Sequence, residues 1–419
     1  MLWRLYICRC SCGRLACTVL IFLSVVFLYQ SRAFASSLNV STPANASIYG
    51  FVGYEGGFST KSSPSFYKSN TSYKKSSLKG KTTFDSMGQV RLGLKFNSKD
   101  RKTFGNIMMD SLPNYDFKLK LAYVKHNIGK HFSVVVGRDW SLVNQRYFRF
   151  SSFIFKPYVA GFQGSKRTMQ LTFRYNRNFG SNLAIFSFGV EDRDSKNGVI
   201  VGKNIGETGK EIASANIPSF RKSVPAFVGQ IQLKLKTDFG TPSTVMAYYE
   251  TMPLYLECKD KERKETAYLY SLATKLNVGR VAFIGQYLHT LGMSGISGIS
   301  GNALKTFSYI YENNRVIKRK SDALGAETYF TPMNGVGLTF GYVNLKFSNK
   351  KADNAYFLKN EVKNAKTLYI SGVFSLTKCT KLFVIWDRIK TKYAVDNSMN
   401  GDFEQATGNQ IFVGYRMYF

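Results

Sequence analysis

The chain carries 58 lysines and arginines against 26 acidic residues, a formal charge of +32, so its basic side chains are its main chemical resource. Many of them alternate with apolar residues. Arg91 and Lys95 interleave with Val90, Leu92, Leu94 and Phe96, while Lys118 and Lys120 interleave with Phe117, Leu119, Leu121 and Tyr123. Arg174 shares a phase with Thr168, Gln170 and Thr172, opposite Met169, Leu171, Phe173 and Tyr175. Lys234 and Lys236 follow the same rule, and Arg416 is the one charge in the last eleven residues. A further group lies between two such runs: Arg146, Arg149, Lys156, Lys166 and Arg167, with Asp139 as the one nearby acid. Most charges on a protein only hydrate its surface. Cations that converge on a confined space attract anions and raise a barrier to other cations.

Residues suited to covalent, acid–base or metal chemistry are sparse. The three histidines (His126, His131, His289) are scattered, although the first two could meet across a turn. Glu191, Glu250 and Glu327 stand singly. No Ser–His or Asp–His pairing suggests a hydrolase, so neither enzyme activity, nor a cofactor, nor a metal is expected. Four of the six cysteines (Cys8, Cys10, Cys12, Cys17) precede residue 36, and Cys258 and Cys379 alone cannot make a zinc site. The basic residues form no compact nucleic-acid motif. The glycines of 295–301 do not follow a strand and open a helix, so they do not read as a phosphate loop.

Strict alternation sends side chains to opposite faces of a strand. Sixteen such runs are readable, near 48–58, 87–97, 102–110, 116–126, 131–139, 167–176, 182–191, 225–236, 243–251, 266–277, 280–290, 320–330, 335–347, 366–376, 381–390 and 409–419. The facing of 102–110 and 381–390 is not readable. Short connections (97–101, 127–130, 177–181, 237–242, 278–279, 331–334, 377–380) alternate with mostly long ones (59–86, 111–115, 140–166, 192–224, 252–265, 291–319, 348–365, 391–408). A run at Phe307–Tyr311 breaks this parity and is read as a projecting hairpin. All nine prolines fall in loops, turns or strand ends. That suits a sheet without edges, because proline lacks a ladder donor.

The final strand is apolar at Ile411, Val413, Tyr415, Met417 and Phe419, and the chain stops on that face. Such a face needs lipid. Eleven residues match one tilted membrane-spanning strand, and the 15% aromatic content suits interfacial girdles. The expected fold is an all-β, antiparallel up-and-down transmembrane barrel of about 16 strands, with short periplasmic turns and long extracellular loops. Residues 1–35 read as a signal peptide: Arg4, Arg9 and Arg14, then an apolar stretch, then Ala33-Phe34-Ala35 before Ser36. Residues 36–47 are a linker and 48–419 the barrel. Cys258 in an outer loop and Cys379 in a periplasmic turn would lie at opposite ends, too far apart for a disulfide.

The terminal strand resembles the C-terminal signature of bacterial outer-membrane barrels. The resemblance implies that the barrel assembly machinery reads the strand ending in Phe419. Ile48-Tyr-Gly-Phe-Val52, Arg91-Leu-Gly-Leu-Lys95, Leu121-Ala-Tyr-Val-Lys125 and Val136-Gly-Arg-Asp-Trp-Ser141 resemble Gram-negative porins, most of all the DcaP-like trimeric porins. The likeness covers about the first third of the mature chain and the last strand. It implies a homotrimer in outer-membrane lipid, an aqueous pore for small anionic solutes, and a long third loop, 140–166, folded into the lumen. The expected function is passive diffusion of small hydrophilic solutes, with Arg146, Arg149, Lys156, Arg91, Lys95, Lys118, Lys120, Arg174, Lys234, Arg416 and Asp139 lining the pore. The competing reading is a surface barrel whose loops act as adhesin or antigen over a plugged lumen.

Overall fold

The computed structural model describes residues 45–59, 81–83, 89–111, 117–143, 167–192, 201–202, 219–221, 225–237, 242–258, 261–293, 309–312, 315–349, 362–394 and 403–419. The signal peptide and nearly all of the linker lie outside these residues. All regular elements among them are strands: β1 (Asn45–Ser59), β2 (Lys81–Thr83), β3 (Gln89–Asn97), β4 (Thr103–Ser111), β5 (Phe117–Ile128), β6 (Phe132–Trp140), β7 (Arg167–Phe179), β8 (Asn182–Asp192), β9 (Val201–Gly202), β10 (Ser219–Arg221), β11 (Ala226–Leu235), β12 (Ser243–Cys258), β13 (Lys261–Val278), β14 (Val281–Leu291), β15 (Tyr309–Glu312), β16 (Arg315–Met333), β17 (Val336–Asn349), β18 (Val362–Ser375), β19 (Thr380–Ala394) and β20 (Phe403–Tyr418).

The long strands pair antiparallel with their sequence neighbours, and β20 returns to β1, with Phe51 opposite Tyr418 and Phe58 opposite Ile411. Gly50 and Phe419 exchange backbone hydrogen bonds of 3.0 and 3.2 Å across this seam. The closed sheet holds eighteen strands rather than about sixteen. A circuit of sixteen long strands forms the wall; the other two, β2 and β10, are three-residue segments paired with β1 and β12. They form because the ends of β1 and β12 project past their long partners. Their bare backbone groups then pair with nearby loop segments. The hairpin expected near 307–311 is present, with Tyr309 opposite Lys318. The expected loop 252–265 is instead mostly strand, since β12 and β13 stay paired out to Cys258 and Lys261.

The short connections all lie at the end that carries Asn45 and Phe419, and the long ones at the other. Cys258 and the turn holding Cys379 are therefore at opposite ends. One proline falls inside a strand, contrary to expectation: Pro253 pairs with Thr266 on one side, but on the other it lies between the stretches of β12 paired with β11 and with β10. Its missing donor meets no partner there. Pro332 sits at the end of β16, in an irregularity of the β16–β17 ladder, as the expectation allows. In the turn after β3, the Ser98 hydroxyl and the Lys102 amide donate to Asp100, which holds that carboxyl below its usual range.

The two faces are sorted as the alternation requires. On β20, Ile411, Val413 and Met417, and just past it Phe419, are 44–57% exposed, whereas Phe412 and Arg416 are 6% and 4%. Exposed Leu94, Ile107, Phe227, Leu272, Phe283, Phe340 and Leu368 continue this outer apolar face around the barrel. Water does not tolerate a patch of that size, but a bilayer requires it. The structure also orients the two strands whose facing was unreadable. Asn106, Met108 and Asp110 of β4 point inward, as do Phe383, Ile385 and Asp387 of β19.

One inner row shows how tightly the wall is fitted. Glu327, Gly341 and Tyr369 are successive cross-strand partners. Tyr369 lies flat across Gly341 and donates to Glu327 at 2.8 Å. A Cβ at Gly341 would come within 1.9 Å of the Tyr369 ring. Gly341→Leu is expected to displace the ring and destabilise the barrel by about 1–3 kcal/mol. Urea unfolding of the protein in lipid vesicles measures the loss, with Gly229→Ala as the comparison, since a Cβ at Gly229 would meet nothing within 4 Å.

Candidate functional site

The inner wall is where charged groups meet an enclosed space, and a bulge decides which of them do so. Met108 faces Leu121, but Met109 faces Leu119, so β5 carries one extra residue, Lys120. A bulge of this kind switches the side-chain phase. Leu121 is buried at 4%, and Tyr123 and Lys125 line the inner side, while Val124 is 42% exposed on the outer side. The expected grouping of Leu121 and Tyr123 with the outer Leu119 is thus wrong. Lys120 is the extra residue itself, between outer Leu119 and inner Leu121, and the charges near it are Arg167 and Arg138 on the outer phase and Asp110 and Lys118 on the inner phase.

The other expected cations separate into two groups. At the seam, Arg91 and Arg416 lie over the ring of buried Phe51, at 5.0 and 4.7 Å from its centroid. Arg416 also lies 5.2 Å from the Phe383 ring, and Gly53 makes room for it, since a Cβ there would stand 2.8 Å from Arg416 Cγ. Arg91 is not an unopposed cation. Its Nε and Nη2 reach the two oxygens of Asp110 at 2.6 and 2.8 Å, a bidentate pair in which Asp110 is nearly inaccessible. Lys118 is the cross-strand partner of the same Asp110, and Lys95 sits 4.4 Å from the Tyr49 ring nearer the short-turn end. Lys234 points inward between Thr244 and Leu183.

The second group forms a recess of about 550 Å³ on the inner side of β5–β8, β11 and β12. Lys125, Arg174, Asp139, Asn176, Gln230 and Gln232 supply its polar lining. Leu142, just past β6, roofs it. The Leu142 amide donates to Glu191 at 2.7 Å, and Gln230 donates to the Leu142 carbonyl at 2.8 Å. Gln170 donates to the Trp140 carbonyl at 2.8 Å. Residues 141–143 therefore leave β6 and cross the inner faces of β7 and β8 as far as β11. Arg146, Arg149, Lys156 and Lys166 lie outside the described residues.

The sequence reading missed Lys125, Asp110 and the loop anchors Glu191 and Gln230. A signal for Lys125 was present. The basic positions run 118 and 120 and then 125, a change from even to odd that marks an inserted residue. Asp110 had no such signal, because both phases of β4 mix apolar and polar residues. The wall is also less uniformly basic than expected: Asp110, Asp139, Glu191, Glu250, Glu327 and Asp387 are all buried on the inner side. Another sector is apolar there, with Val343, Leu345 and Phe347 at 0% exposure and Ile385 at 1%. None of the histidines joins a metal cluster among the described residues. His126 contacts Thr103, His131 the Asn176 carbonyl, and His289 Asp322.

A closed antiparallel barrel, apolar outside and charged inside, is the architecture of outer-membrane β-barrel proteins, because only closure satisfies strand backbones in lipid. No family model and no curated protein matches the chain. Solved structures do match. The outer membrane channel DcaP of Acinetobacter baumannii is 14% identical, with a TM-score of 0.63 over 90% of this chain and 97% of the other. OmpF of Salmonella typhi, in complex with daunomycin, is 13% identical, with a TM-score of 0.52 over 89% and 97%. A loop-deletion mutant of the outer membrane protein OmpT of Vibrio cholerae is 10% identical, with a TM-score of 0.52 over 90% and 99%. At this identity the likeness establishes the shared fold.

The bulge makes a direct prediction. In a background lacking Cys258 and Cys379, Tyr123→Cys should react with a membrane-impermeant, water-soluble thiol reagent, and Val124→Cys in vesicles should not. The reverse pattern would place β5 in the other phase.

Proposed function

We propose that the chain is an outer-membrane porin, a water-filled channel for passive diffusion of small hydrophilic solutes that prefers anions. The observation that carries this reading is the recess at Lys125 and Arg174. It is a polar, cation-bearing hollow on the inner side of strands whose outer side is apolar. A lipid-facing exterior around a hydrated interior is what a diffusion channel needs. The name of the A. baumannii structure, an outer membrane channel, points the same way.

In this reading the chain is exported by a signal peptide cleaved between Ala35 and Ser36 and reaches the outer membrane. The strand ending in Phe419 is read there by the barrel assembly machinery, and three copies associate. The short turns face the periplasm and the long loops the exterior. Loop 140–166 is proposed to fold into the lumen, with Arg146, Arg149 and Lys156 contributing to the pore lining. Selectivity comes from Lys125, Arg174 and those loop cations. Arg91 contributes less, because Asp110 neutralises it. The chain performs no reaction.

A second reading rests on the apolar inner sector around Phe347, which is closed to water. It favours a barrel with a filled lumen whose outer loops act as an adhesin or antigen. Planar-bilayer reconstitution under a salt gradient separates the two. The porin reading expects stepwise conductance with an anion-type reversal potential, and no conductance would leave the filled barrel. Replacing Lys125 and Arg174 with Ser should move the reversal potential towards the cation side without closing the channel. A cation-type potential in the unmodified protein would overturn the anion preference.

A further inference from the structure

Beyond the lumen, a concentration of charge among the described residues lies on the outer face of β17–β19, and it is confined to one end. The outer phase of these strands begins at the short-turn end with Leu338, Phe340, Ile370, Phe374, Leu382 and Val384, all apolar. Tyr342, Leu368 and Trp386 complete the apolar stretch. Past them the same phase turns basic. Arg388 is the partner of Leu368, Lys366 stands directly opposite Lys390, and Asn364 lies between Lys346 and Lys392. Lys346, Lys366, Arg388, Lys390 and Lys392 are all exposed. Lys363, the extra residue of a bulge in β18, adds its charge close to Lys346 and Lys392.

This arrangement has a cost. Like charges directly opposite across a ladder repel, their Cβ atoms being about 5 Å apart. The acid nearest in register is Asp322, the cross-strand partner of Lys346, and it is held by His289 and Tyr287 at 2.7 Å each. Lys346, Lys366, Arg388 and Lys390 make no ion pair with any described residue. A face that concentrates cations just beyond an apolar band, behind an aromatic row, is aligned with the headgroup layer of a bilayer. Anionic headgroups there offset the repulsion and attract each lysine.

The geometry points to a binding site for phosphorylated lipid headgroups on the outer face of β17–β19, formed by Lys346, Lys366, Arg388, Lys390 and Lys392. It rests on the reading of the barrel as membrane-spanning, with the long-loop end at the outer leaflet. One phosphate fits between Lys366 and Lys390. The next row along the strands, about 7 Å further, takes a second at Lys346 and Lys392. The site needs no lumen and lies on the side of the wall away from it.

Native mass spectrometry of the detergent-solubilised full chain tests the site, with short-chain phosphatidic acid, phosphatidylcholine of the same chain length and inorganic phosphate as probes. Phosphatidic acid should bind the unmodified protein. Changing Lys346, Lys366, Lys390 and Lys392 to Gln should weaken that binding by at least about tenfold and leave phosphatidylcholine unaffected. If this variant loses its heat-resistant fold, the pair Lys366→Gln and Lys390→Gln supplies the comparison. Undiminished phosphatidic acid binding in a folded variant overturns the site. Inorganic phosphate competing as well as the lipid overturns its assignment to lipid. Dissociation of an oligomer without a change in lipid binding makes the face a subunit contact instead. Conductance of the variant should match the unmodified protein; absence of conductance in both would count against the porin reading alone, because the lipid measurement does not depend on it.

Discussion

The structure depends on the pairing of its first strand with its last. A strand in hydrocarbon has no water to satisfy its N–H and C=O groups, and each bare group costs several kcal/mol. The ladder from Phe51–Tyr418 to Ser59–Gln410 removes both edges of the sheet at once. Once the sheet is closed, each long strand has two neighbours across the membrane, and alternation alone assigns every side chain to lipid or lumen. Phe419 is exposed because it belongs to the outer surface of this seam.

Closure also sets the charge chemistry inside. Inward side chains converge on a limited space, so a cation there must find an acid, an aromatic ring or water. The wall uses all three. Arg91 takes the Asp110 carboxylate, Arg416 lies against Phe51 and Phe383, and Lys125 and Arg174 face the recess. The large positive charge of the chain therefore does not translate into a uniformly basic lumen. Part of it is neutralised by buried acids, and part lies on the outer face, where the lysines of β17–β19 meet the headgroup layer.

Much of this fold was legible in the sequence. The sorting of short and long connections, the apolar phase of β20 and its closure against β1 all follow from local alternation and turn residues. Of the candidate lumen residues, Arg91, Arg174, Lys234 and Arg416 lie on the inner side. The alternation read through β5 failed at Leu121 and Tyr123, since one inserted residue reverses the phase of everything after it. Strand ends were also underestimated. β12 and β13 pair well past the apolar band, where polar side chains carry no lipid-facing pattern to read.

The sequence by itself determined that this chain makes an edge-free sheet with one apolar and one charged face. Period-two alternation is a local property, and any strand with that pattern must bury or expose its faces in the same way. The tertiary structure alone decided which cations act. Whether Arg91 is opposed by Asp110, whether Lys125 reaches the recess, and whether residue 142 bends across to Gln230 all depend on register between strands. Register is a relation between segments far apart in the chain, set by a bulge at Lys120 and by closure at Phe419, and no single stretch encodes it.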